Sequence, residues 1–221
     1  MISIYDNNSE LKEEIANFKK LIKKSGSELE ESLLVSVTKY ILFLKQVQKC
    51  KNQGHYGKCL ISDLLFMIYS LTGKISRDFY INYRSMIENY VRFVLELNDS
   101  DDTGVRNLFR KLENEFTEGN STELINYIDG EYGKCCDYVH SNVKSQTSIY
   151  EYYLEIANDE SLSKRDIQAM LNAMVTFFRK AVRLLLLNKG SWIDEAFYKE
   201  KQKLKYLISS DLYLLYKSKY E

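Results

Sequence analysis

Proline is absent from all 221 residues of this chain. Average usage would supply about ten. Glycine is scarce as well, with nine copies. The two shortages exclude a chain rich in irregular loops and predict long helices joined by short polar turns. An excess of charge of one sign is also missing. Thirty-one basic and 31 acidic side chains give a formal net charge of +0. A generic nucleic-acid coat needs a basic excess to neutralise phosphates, so that class is excluded. Long hydrophobic runs are lacking too. The longest, Leu184 to Leu187, is bracketed by Arg183 and Lys189, far short of the roughly twenty apolar residues of a membrane span. The start, MISIYDNNSELKEE, has neither the basic nor the apolar region of a secretory signal. These absences predict a soluble, cytoplasmic protein with no membrane partner.

What is present is an ordinary globular balance, 45% hydrophobic and 28% charged, which excludes a disordered chain. Apolar residues recur at helical spacing almost everywhere. Leu11, Ile15, Phe18 and Ile22 make one stripe, predicting a helix over 9–24, with Asn7 and Glu10 at capping-box spacing. A second start at Ser27, with Glu30, opens a stripe of Leu29, Leu33, Val37, Tyr40, Leu44 and Val47. Further helices are expected over about 58–71, 76–97, 103–116 and 121–141, with a new start at Ser148 and Glu151. Ser163 and Asp166 open a long one to Asn188, which carries Ile167, Met170, Met174, Phe177, Ala181 and Leu184 inward. Gly190 is expected to stop it. Ser191 and Asp194 would open the last helix, with a break near Ser209. The expectation is an all-α bundle of roughly eight or nine helices in one domain. The acidic turn at 98–102 is the only plausible seam.

Several enzyme classes have no signature here. The chain has no Walker-type loop, no Rossmann glycine fingerprint, no GxSxG elbow and no HExxH pair. The four cysteines are expected as reduced thiols. Cys50, His55 and Cys59 fall within ten residues and supply three potential zinc ligands. The same segment also reads as a glycine-bearing turn with a surface histidine and two small apolar cysteines.

Asp137 and His140 stand three apart on one helix face, where the carboxylate would orient the imidazole or raise its pKa. Gly133 and Cys136 keep that face small. A histidine there suits general acid–base work near neutral pH, and it equally suits a helix cap that favours the dipole. Arg84, Glu88 and Arg92 are spaced by four. They read either as a solvated ion-pair ladder or as guanidinium groups that reach a phosphate.

The two segments Tyr83-Arg84-x-x-Ile87-Glu88-x-x-x-Arg92 and Tyr132-x-x-x-x-x-Tyr138-Val139-His140-Ser141 together resemble the HEPN superfamily of small helical domains. The likeness is to divergent branches from abortive-infection (phage defence) and toxin–antitoxin loci, and it covers about residues 76–145. It implies a HEPN-like core over 76–188, N-terminal helices over 1–75 and a C-terminal helix over 189–221. It also implies a metal-independent ribonuclease with no cofactor, often a homodimer, that binds RNA or a nucleotide. By that pattern His140 is the general acid/base and Asp137 orients it. The family's arginine, four to six residues before the histidine, is missing. Lys134 is the cation nearest that position, and Arg84 or Arg92 from the neighbouring helix could hold the phosphate instead. The alternative from another class is a non-catalytic helical interaction module, antitoxin-like or a partner in a defence complex. The interface preference of tyrosine, present eighteen times, suits that reading.

Overall fold

The periodic stripes become helices. The computed structural model describes residues 8–26, 29–51, 54–140, 150 and 162–220. In chain order the described helices are α1 (Ser9–Lys24), α2 (Glu31–Lys51), α3 (His55–Thr72), α4 (Ser76–Val94) and α5 (Val105–Glu115). They continue with α6 (Ser121–His140), α7 (Lys164–Ala196), α8 (Lys201–Leu207) and α9 (Ser210–Tyr220). The described residues contain no strand. The all-α bundle expected from periodicity is therefore the fold.

Helix ends show where local chemistry overrode the expected signals. Helix α2 starts at Glu31, because the Glu30 carboxylate accepts from the backbone N–H groups of Ser32 and Leu33 at 3.1 Å each. A glutamate does the capping that a serine was expected to do, and Ser27 itself lies outside the described residues. The expected Asn7 cap and the expected start at Ser148 and Glu151 lie outside them as well. At α7 the reciprocal box forms as expected: Asp166 N–H donates to Ser163 Oγ, and Ser163 N–H donates to the Asp166 carboxylate. The expected break falls at Lys189, one residue before Gly190: the backbone leaves helical geometry there (φ −129°, ψ 32°), and a second helical segment runs on to Ala196. A Cβ on Gly190 would lie 2.1 Å from the Tyr220 ring, so glycine there lets the last aromatic residue of α9 close on α7. Asp194 does not cap a new helix, since its carboxylate accepts from the Tyr216 hydroxyl and the Lys201 ammonium at 2.5 Å each.

The inward residues merge into one hydrophobic cluster that runs from Ile15 to Tyr216. Helices α3 and α4 form a tight antiparallel hairpin, and α2 and α6 flank α7. Gly57 lets α3 approach α4 closely: a Cβ there would meet Gln48 at 2.5 Å and the Phe93 ring at 3.2 Å. Phe177 on α7 is fully buried and receives the edges of Tyr83, Tyr90 and Phe178. Burying such a ring contributes about 2 kcal/mol, with more from edge-to-face geometry. The buried Tyr90 hydroxyl donates to the Ala181 carbonyl at 2.7 Å, which also ties α4 to α7. Among the described residues, no helix is long and apolar enough to cross a membrane.

Arg92, near the end of α4, is buried, and its donors are all used. Nε and Nη2 donate to Glu88 at 3.3 and 3.0 Å, and Nη2 also to the Thr103 carbonyl at 2.8 Å. Nη1 donates to the carbonyl and the carboxylate of Asp101 at 3.1 and 2.9 Å. The Tyr56 ring lies 5.3 Å from the guanidinium, and its hydroxyl donates to the same Asp101 carbonyl. The acidic turn is thus stitched to α3 and α4. Asp101 titrates below the usual carboxylate range. Burial pushes it up, but the amide and hydroxyl of Thr103, followed by Lys111 and Arg92, outweigh that. A carboxylate with a lowered folded-state pKa stabilises above its unfolded pKa, and the contribution is lost as pH falls through the folded one. Replacing Arg92 by Met should therefore lower the unfolding free energy at pH 7 by about 3 kcal/mol, measured by urea denaturation. The stability lost by wild type on acidification from about pH 5 to 3 should shrink in the variant.

Candidate functional site

Helices α4 and α6 pack antiparallel, and the resemblance falls on this pair. Ser76 and Tyr138 share a hydrogen bond of 2.5 Å at one end of the seam. Tyr83 donates to Glu131 at 3.1 Å further along, and Arg84 Nε donates to the Tyr132 hydroxyl at 3.2 Å beside it. This register puts the start of α4 beside the end of α6. Helix α6 enters the core through Leu124, Ile125, Ile128 and Cys135. Glu131 occupies the same stripe and is 8% exposed.

A buried carboxylate at an apolar position needs partners. Tyr83 supplies one to Oε2, and Lys134 Nζ supplies the other to Oε1 at 2.6 Å. Sequence reasoning missed Glu131. Its signal was position: 124, 128, 131 and 135 step by four, three and four, so an ionisable residue stands inside an apolar row.

On the α7 side of the seam, a cleft of about 450 Å³ opens beside Glu131. Tyr80, Tyr83, Tyr127, Tyr138 and Met170 line it. Burial raises the phenol pKa of Tyr80, takes Tyr127 to about 12, and puts Tyr83 well above its ordinary value, helped there by Glu131. Burial also takes the Cys135 thiol to about 12, with the Glu131 charge adding to the shift. At neutral pH the cleft therefore offers ring faces and hydroxyl donors around one neutralised ion pair. None of these shifted groups is a ready nucleophile.

On the other side of the seam lies Arg84. Its guanidinium sits 5.7 Å from the Tyr132 ring centroid, and that ring also meets Phe109 of α5. The Tyr132 hydrogen bond is the largest influence that holds the guanidinium's pKa above its ordinary value. Cys136 bonds the same phenol one turn on. Tyr132, Cys136 and position 140 are spaced by four, so they share one row of α6. His140 closes that helix, and its side chain lies outside the described residues. Asp137 is exposed.

The expected site residues thus separate. Arg84 is brought onto the α6 row that ends at position 140, where it meets Tyr132, eight residues or about 12 Å along the helix before that end. Lys134 turns toward Glu131 and the cleft. Arg92, expected at the phosphate, sits eight residues along α4 from Arg84, about 12 Å further from the end of α6, and its donors are committed to Glu88, Asp101 and Thr103. The three potential zinc ligands also part. Cys59 Sγ faces His55 Nε2 at 3.2 Å, whereas Cys50 turns to the Glu195 carboxylate. Among the described residues no group of three histidine, cysteine or acidic side chains could hold a metal ion.

Comparisons of the chain with protein-family profiles, curated proteins and solved structures find no match.

The cleft makes a direct prediction. Cys135 should resist alkylation by iodoacetamide in the native protein at pH 8 and become modified once urea unfolds it. Peptide mass spectrometry would read this, and rapid native labelling at Cys135 would contradict the burial described.

Proposed function

We propose that this protein is a HEPN-like, metal-independent endoribonuclease with its reacting centre at the outer side of the α4–α6 seam. The observation that supports it is the seat of Arg84, a permanent cation held by Tyr132 on the α6 row that leads to position 140. Planar guanidinium groups bind phosphate oxygens bidentately. In this reading Arg84 holds the scissile phosphate and His140 takes the proton from the RNA 2′-hydroxyl. The 2′-oxygen attacks phosphorus, the bond to the 5′-oxygen breaks, and that oxygen takes its proton from water, after which His140 returns its own proton to solvent. The products are a 2′,3′-cyclic phosphate and a 5′-hydroxyl. Asp137, three residues before His140, orients the imidazole, while Lys134, expected at the phosphate, is committed to Glu131 on the other side of the seam. The ligand class is RNA or a nucleotide, and the reading carries a defence or toxin-type role with it.

A second reading, a non-catalytic helical interaction module, is favoured by the commitments of Arg92 and Lys134. Two of the three cations expected at a phosphate already neutralise carboxylates within the fold.

The test is cleavage of total cellular RNA and tRNA in EDTA, with product ends examined for cyclic phosphate. The expected result is cleavage by wild type, loss of at least about a hundredfold in His140→Ala, and a similar loss in Arg84→Ala with partial recovery in Arg84→Lys. Unchanged thermal unfolding would show that both variants are folded. No cleavage by folded wild type would favour the interaction module, and cleavage that survives His140→Ala would remove that residue from the mechanism.

A further inference from the structure

Helix α1 is joined to the bundle by one face only, packing on α2 with Leu11, Ile15, Phe18 and Ile22, of which Ile15 alone is fully buried. Its opposite face carries two features that the packing does not explain. Leu21 is 63% exposed. Beside it lies an apolar cleft of about 690 Å³ between α1, α2 and α3, walled by Phe18, Ile41, Leu42, Ile61 and Leu65. Leu21, the cleft walls and the exposed Leu65 and Phe66 together make an apolar patch, and such patches mark interaction surfaces where single exposed residues do not.

The second feature is the order of charge along that face. Glu10 and Glu14 precede Asn17 by seven and three residues, and Lys20 and Lys24 follow it by three and seven. All five positions are exposed. A helix with this pattern is complementary to itself when a second copy runs antiparallel about a two-fold axis at Asn17. Glu10 of one copy then faces Lys24 of the other, and Glu14 faces Lys20, four times over by symmetry. The same operation sets Leu21 of each copy opposite Glu13 of the other, at the mouth of the cleft. Among the described residues no ion pair uses Glu13, Lys20 or Lys24; Glu14 pairs with Lys45 at 3.2 Å and Glu10 lies 4.0 Å from Lys203, both on exposed carboxylates that can re-pair.

We infer that a second copy of this chain docks through α1, the two helices antiparallel, with Leu21 of each copy seated in the α1–α2–α3 cleft of the other. Leu65 of α3, at the cleft rim, and the neighbouring exposed Phe66 and Tyr69 extend the contact beyond one helix. Leu21 is the apolar anchor and the four ion pairs set the antiparallel register. The α4–α6 seam is not part of this contact, so the interface stands or falls independently of the nuclease reading.

Sedimentation equilibrium of the full chain tests it. Wild type should be a dimer at micromolar concentration, weakened by added salt. Leu21→Asp should raise the dissociation constant by more than about tenfold, and so should Lys20→Glu with Lys24→Glu. Reversing all four charges in one chain, by adding Glu10→Lys and Glu14→Lys to the lysine changes, restores complementarity and should restore the dimer. These residues are exposed, and circular dichroism would confirm the fold of each variant. A wild type that remains monomeric at hundreds of micromolar overturns the inference. A dimer indifferent to Leu21→Asp and to the lysine reversals overturns it equally, because the contact then lies elsewhere.

Discussion

Five N–H donors on one buried guanidinium constrain the path of the chain between α4 and α5. Arg92 cannot lose its proton at any ordinary pH, and leaving its donors unpaired in the core would be costly. The chain around it is arranged to meet them. The carbonyls of Asp101 and Thr103 turn inward, Glu88 reaches along the helix, and Tyr56 covers the ring plane. With that segment pinned, α5 starts at a fixed point beside α4, its Phe109 meets Tyr132, and α6 is guided back antiparallel to α4. The seam on which Arg84 sits follows from how Arg92 is satisfied. One arginine of the charged stripe holds the turn before α5, and its neighbour two turns away rests on Tyr132 of α6.

The seam has two chemically different sides. Toward α7 the groups are buried, their phenols and thiol stay protonated, and Glu131 is neutralised by Lys134. Buried, neutralised groups give hydrogen-bonding and ring surfaces without a free charge. On the other side the Arg84 guanidinium rests on the Tyr132 hydroxyl and ring, so the two sides of the seam differ in both polarity and charge.

Most of the fold was legible because helix periodicity had few competitors. Without proline, and with few glycines, apolar spacing decided nearly every element. The inward stripe of α7, Ile167 to Leu184, is buried as read. Ends were less legible, since several residue types can satisfy the same orphan amide. Glu30 outcompeted the expected serine. Gly190 marks a real break beside Lys189, but it also makes room for Tyr220, thirty residues on, which no local signal contains. The candidate site was harder still. An i, i+4 stripe such as Arg84, Glu88 and Arg92 carries no information about depth, so the sequence could not separate the arginine that is buried from the one that lies on α6. Zinc spacing failed for a similar reason: Cys50 turns to Glu195 while Cys59 faces His55, and linear distance says nothing about side-chain direction.

Helix α1 shows how one charge pattern can serve two purposes and how they are told apart. Acidic residues at a helix start and basic ones at its end favour the dipole, which by itself would explain Glu10, Lys23 and Lys24. The dipole's influence fades within a turn, however. It gives no reason for Glu13 and Glu14 in the second turn, nor for Lys19 and Lys20 before the last. Lys19 is accounted for by its ion pair with Glu31, and Glu14 by Lys45. Glu13 and Lys20 answer to neither cause, and with Leu21 they mark the outward face. Residues that neither the helix nor the bundle requires are the ones on which a partner's recognition should rest.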